Sequence, residues 1–69
     1  MKNDVQELLN QQINREFYSA YLYLDFACFF EKSGLKGFAS WFRVQAREEL
    51  SHGMLFIRYL IISTEPVHL

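Results

Sequence analysis

Glu49 and His52 stand three residues apart in the run EELSH, inside a segment otherwise rich in apolar residues. Charged groups stay out of apolar surroundings unless something pairs with them. At a spacing of i and i+3, both side chains project from one helical face and can reach one ion. A carboxylate with an imidazole suits iron, manganese or zinc, and lacks the thiolates of a structural zinc site. Glu16, in the N-terminal half, is a third candidate ligand. Spacing alone does not distinguish the three metals. The metal-free alternatives are a buried Glu–His ion pair, or a polar seam turned to solvent.

Two helices must position these groups. The stretch EKSGLKG, residues 31–37, is the one clear break in the chain. Ser33 and Gly34 there fit a helix C-terminus followed by a short turn. The sequence predicts helix A over about residues 4–32 and helix B over about 36–63, with Asn3 and Gln6 capping the first. Residues 64–69 read as a loose tail. On helix A the stripe Leu9, Ile13, Glu16, Ala20, Tyr23, Ala27 and Phe30 has the spacing of a bundle seam. On helix B the matching stripe is Phe38, Phe42, Gln45, Glu49, His52, Phe56 and Tyr59.

Counting from the turn brings the candidates together. Glu16 is 18 residues before Gly34 and His52 is 18 after it, with Glu49 at 15. In an antiparallel pair, residues equally far from the turn lie at one level, so Glu16, Glu49 and His52 converge. Tyr23 lies two turns nearer the loop on the face of Glu16. It reads either as a packed aromatic or as a hydrogen-bond partner for a ligand carboxylate. Gln45 reads as a satisfied seam polar group, Glu48 as solvated, His68 as inert and Cys28 as a small buried hydrophobe.

Composition narrows the functional class. At 69 residues the chain is one domain at most, and so short a core is marginal without a disulfide, a metal or oligomerisation. One cysteine permits no internal disulfide and fits a reducing, cytoplasmic compartment. A net charge of −1 without a basic run argues against nucleic acid. The polar N-terminus is not a signal peptide, and no apolar run is long enough for a membrane span. Yet 51% of residues are hydrophobic and 17% aromatic, more apolar surface than one hairpin can hide. An oligomer follows as an expectation.

The runs INREFYSAYLYL and REELSHG together carry a resemblance to the first half of bacterial non-haem ferritins. It covers nearly the whole chain. The resemblance implies an all-α fold: an antiparallel two-helix hairpin over residues 1–69, half of a four-helix bundle completed by oligomerisation. It implies iron binding, and oxidation of Fe(II) by O2 at a carboxylate-bridged di-iron ferroxidase centre in support of iron storage. Position by position, Glu16 matches a ligand of the first iron, Glu49 the bridging carboxylate, His52 the histidine ligand and Tyr23 the nearby tyrosine. Glu48 matches a carboxylate of a neighbouring third iron site. Haem-containing relatives place a methionine where this chain has Leu50, so no haem is expected. Rubrerythrins share Glu-x-x-His but lack the EFYSAYLYL run.

The sequence stops at STEPVHL, about where the family's long loop toward helices C and D begins. The expectation is a fragment or split ferritin whose partner chain supplies helices C and D, or a hairpin that dimerises. In the family, two helices each give one Glu and two each give Glu-x-x-His. Two copies of Glu16, Glu49 and His52 would supply that count. The alternative is a metal-free helical assembly module.

Overall fold

The chain reverses at Ser33–Leu35 because Gly34 can take a backbone conformation that side chains resist. Its φ is +80°. Two bonds close the end of the first helix around it: Gly34 N–H donates to the carbonyl of Glu31 and Leu35 N–H to that of Phe30. The computed structural model describes residues 3–69, the side chain of Asn3 excepted, so the expected cap on Asn3 lies outside the described residues. Helix α1 spans Asn3–Lys32 and helix α2 spans Lys36–Ile62. They form an antiparallel hairpin about 48 Å long, with no strand among the described residues.

Small residues set the separation of the helices. Ile13, Ala20 and Ala27 are buried on α1, and Ala39, Ala46, Gly53 and Leu60 on α2, each series at steps of seven. A seven-residue repeat is the seam of two helices wound along one another. At Gly53 the approach leaves no room for a side chain. A Cβ there would lie 2.4 Å from the Phe17 ring. The α1 stripe read from sequence therefore faces its partner. The α2 stripe is turned by about one position. Ala39, Ala46, Gly53 and Leu60 are innermost, while Phe38, His52 and Tyr59 are exposed. Bulky rings cannot stand between helices packed this closely, so they flank the contact instead.

Two further expectations change. Cys28 is exposed, not buried. The C-terminal tail is tied to α1, not loose. Asn10 Nδ2 donates to the Pro66 carbonyl at 3.0 Å, and Asn10 Oδ1 accepts from the His68 N–H at 2.6 Å. Asn14 Nδ2 donates to the His68 carbonyl at 2.7 Å. Asn10 is the buried polar residue of the described structure because it satisfies the tail's backbone on both sides. Thr64 steers the chain into this path with φ +57°, ending α2 in the manner that Gly34 ends α1. For a β-branched residue that is a strained conformation.

The aromatic residues gather toward the turn. Phe42 lies at the centre of the cluster, stacked on Phe30 at 5.4 Å and edge-on to Phe26 and Trp41. Much of this surface faces solvent, with Phe26, Phe38 and Trp41 exposed.

Candidate metal centre

Halfway along the hairpin the aromatic face gives way to a polar patch. Glu16, Glu49 and His52 each offer one ligand atom there, and the three atoms lie within 4.8 Å of one another. His52 Nδ1 stands 3.9 Å from Glu16 Oε2 and 3.8 Å from Glu49 Oε1. Glu16 comes from α1, and the other two from successive turns of α2. The turn at Gly34 sets the register that brings them level. Burial is graded: the side chains of Glu16, Glu49 and His52 are 12%, 23% and 53% exposed. The patch is therefore walled by carboxylates and open on the imidazole side.

The two carboxyl groups bias one another's ionisation. A hydrogen bond from Glu49 holds Glu16 below the usual carboxylate range, helped by Gln12 and by the charge of His52. That same bond to Glu16 raises Glu49 above it, with burial and the negative charges of Glu16 and Glu48 adding to the shift. The pair is the kind of site a cation relieves, because two carboxylates this close cannot both ionise without cost. The donor set fits an ion of the carboxylate–imidazole class. Bonds of ~2.1 Å can span donor atoms up to ~4.2 Å apart, so both His52 contacts are within reach of a single ion.

Gln12, not singled out from the sequence, belongs to the patch. Its Nε2 donates to Glu16 Oε1 at 2.8 Å. That bond occupies one oxygen of Glu16 and leaves Oε2 as the atom facing His52. The signal was present in the sequence as a Gln–Glu pair at i, i+4. Tyr23 lies on the same face with its ring 5.9 Å from that of Phe42. Among the described residues no hydrogen bond joins its hydroxyl to Glu16 or Glu49. Glu48 is exposed and stands outside the three-residue cluster, and Gln45 is half-buried.

Comparison with known proteins establishes the family and the fold. The ferritin-like domain family profile matches residues 6–65. The chain is 39% identical over 57 residues to a bacterial non-heme ferritin of Bacteroides fragilis, covering 83% of this chain and 36% of that protein. It is 35% identical over 60 residues to a bacterial non-heme ferritin of Staphylococcus aureus, covering 87% and 36% respectively. An open-pore ferritin from the hyperthermophilic archaeon Archaeoglobus fulgidus superposes with a TM-score of 0.94 at 46% identity, over all of this chain and 42% of that one. A humanized archaeal ferritin gives a TM-score of 0.95 at 45% identity, again over all of this chain and 42% of its own length. The chain thus spans about a third of the length of the curated relatives it matches.

Proposed function

The chain belongs to the ferritin-like domain family, and on that premise we propose that it binds Fe(II) and, once a second set of ligands completes the centre, oxidises it with O2 in support of iron storage. The convergence of Glu16, Glu49 and His52 carries this reading. Fe(II) is here the substrate. Glu16 Oε2, Glu49 and His52 Nδ1 are the groups that would hold it. Glu49, whose carboxyl group is raised above the usual range beside Glu16, is the candidate for a bridging carboxylate between two ions. Gln12 keeps Glu16 turned so that one oxygen stays toward His52.

The chemistry asked of the protein is modest. It holds two ions close together, supplies anionic oxygens that favour the ferric state, and leaves positions open for O2 to take one electron from each. Entry is from the His52 side, where the patch is open. Binding favours the ionised carboxylates, so uptake of Fe(II) strengthens as pH rises through the raised Glu49 range. One hairpin provides two carboxylates and one imidazole. The full family complement is four Glu and two His, so a single hairpin binds without completing the centre. The cytoplasm, with its reduced iron, is the compartment this role requires. Tyr23 and Glu48 take supporting positions, Tyr23 on the face of Glu16 and Glu48 at the rim.

Mixing the protein anaerobically with Fe(II), admitting O2 and following ferric absorbance against a protein-free blank tests the proposal. Fe(II) binding by the chain, and oxidation faster than the blank once the second set of ligands is present, are expected, both lost in Glu49→Ala with helical content retained. Equal binding and equal rates for Glu49→Ala and the unaltered chain would remove Glu49 from the site.

A further inference from the structure

Resting on that reading of the site, we propose that Gln12 is a positioning residue that confines Glu16 to single-oxygen ligation, and that it thereby sets a preference for a small, imidazole-binding divalent ion over calcium. Three observations lead there. The first is the division of roles between the two oxygens of Glu16. Oε1 accepts a hydrogen bond from Gln12 Nε2 at 2.8 Å, while Oε2 stands 3.9 Å from His52 Nδ1. Chemistry fixes which way the carboxamide points. An ionised carboxylate only accepts hydrogen bonds, so the amide nitrogen must face it and not the amide oxygen. A hydrogen bond to a charged acceptor is among the stronger ones. One oxygen of Glu16 is thus engaged within α1, and an ion seeking both has to compete with that bond.

The second observation is how firmly the pair is held. Gln12 and Glu16 are i and i+4 on α1, the spacing at which helical side chains meet. Ile13, next to Gln12, is fully buried in the seam and anchors this turn of the helix. Gln12 and Glu16 are both half-buried, and only 12% of the Glu16 side chain is exposed. Water therefore competes poorly with Gln12 for Oε1.

The third is an asymmetry between the carboxylates. Among the described residues no carboxamide donates to Glu49, whose Oε1 lies 3.8 Å from His52 Nδ1. Gln12 thus restrains one carboxylate of the site and leaves the other with both oxygens free of such a donor. Ions differ in what they ask of these groups. Calcium takes about six to eight oxygens at ~2.3–2.6 Å, and carboxylates often give it both of theirs. Zinc takes about four nitrogen, sulfur or oxygen donors at ~2.0–2.3 Å, and one oxygen from a carboxylate suffices. One imidazole beside a carboxylate restricted to a single oxygen suits the second class and starves the first.

Titration calorimetry of the 69-residue chain with Zn(II), a redox-inert stand-in for Fe(II), and with Ca(II) tests the preference. Infrared difference spectra between the Zn(II)-bound and metal-free chain test the ligation. A carboxylate that gives one oxygen separates its two C–O stretches widely, and one that gives both separates them narrowly. Glu16→Gln identifies the Glu16 bands by their loss. Gln12→Met keeps the length of the side chain and removes the donor. In that variant Zn(II) affinity should fall about 10–100-fold, and the ratio of Zn(II) to Ca(II) affinity at least about tenfold. The Glu16 stretches should draw together. Gln11→Met, the same change at the exposed neighbouring position, should move none of these readings. Gln12→Ala, which favours the helix, gives the same readings if the methionine variant loses helicity. Stretches that stay apart without Gln12 would overturn single-oxygen ligation by this residue. An unchanged affinity ratio would overturn the preference. Either result leaves the metal site standing, whereas absence of Zn(II) binding in the unaltered chain would overturn the site and the role of Gln12 together.

Discussion

Gly53 sits where α2 packs against the Phe17 ring of α1, next in sequence to His52. Replacing it with alanine pits two effects of known size against each other. Alanine in place of glycine inside a helix gains about 1 kcal/mol from propensity alone. Against that, the added Cβ would lie 2.4 Å from Phe17 Cε1, 2.9 Å from Cδ1 and 3.0 Å from Cζ. The first contact is about 1 Å short of an ordinary carbon–carbon contact. Either the ring swings outward, losing its cover over Gly53, or the helices separate. Overpacking of this kind costs about 1–3 kcal/mol. The expected balance is a net loss of roughly 1 kcal/mol, which lowers Tm by about 4–8 °C in a domain of this size. Separation also moves His52 away from Glu16, so Zn(II) affinity should fall along with stability. Thermal and urea unfolding of Gly53→Ala, Gly37→Ala and the double variant Phe17→Leu with Gly53→Ala make the test. A Cβ at Gly37 meets nothing within 4 Å, so Gly37→Ala should be neutral or stabilising. Phe17→Leu should recover part of the Gly53→Ala loss, as expected of residues in contact. A Gly53→Ala variant that melts higher than the unaltered chain would refute the claim that this glycine sets the helix separation.

Thr64→Gly should stabilise the chain by about 1 kcal/mol, since a left-handed conformation costs a β-branched residue roughly 1–2 kcal/mol and glycine repays part of that in chain entropy; a lower Tm in this variant would contradict the assignment. Asn10→Ala removes two bonds to the tail and should cost about 1–3 kcal/mol, with faster hydrogen exchange at His68 as its local mark. Metal affinity should fall as pH drops, and because Glu49 holds its proton above the usual carboxylate range, the fall should begin above that range and steepen as Glu16 also protonates below it; titration calorimetry in buffers of different ionisation heat counts the protons. In the metal-free chain the raised Glu49 group makes folding stability decline as pH rises from the ordinary carboxylate value through its own higher one. Glu49→Gln should remove that decline, so the variant is the more stable one above this window and has no advantage below it. The same variant should bind Zn(II) poorly.

The sequence by itself determined more of the site than of the packing. Helical rise per residue is constant and a hairpin pairs residues equidistant from its turn. Locating Gly34 was therefore enough to place Glu16 opposite Glu49 and His52. The helical ends at the break were legible for the same local reason: glycine accommodates the positive φ that closes α1. Which face of α2 meets α1 was not legible. The stripe with seam spacing in the sequence, Phe38 to Tyr59, lies about one position from the buried one of Ala39, Ala46, Gly53 and Leu60. Only the packed pair showed that Ala39, Ala46 and Gly53 go inside, because the close approach at Phe17 and Gly53 excludes larger groups. The tail was equally hidden. Asn10 lies 56 residues from Pro66 and 58 from His68, and no local pattern links an asparagine to a backbone that distant in the chain. Local propensity acts over a few residues, so it reveals turns, caps and helical spacing. Contacts between residues far apart in sequence depend on how the whole surface of each helix fits the other, and those only the tertiary structure decided.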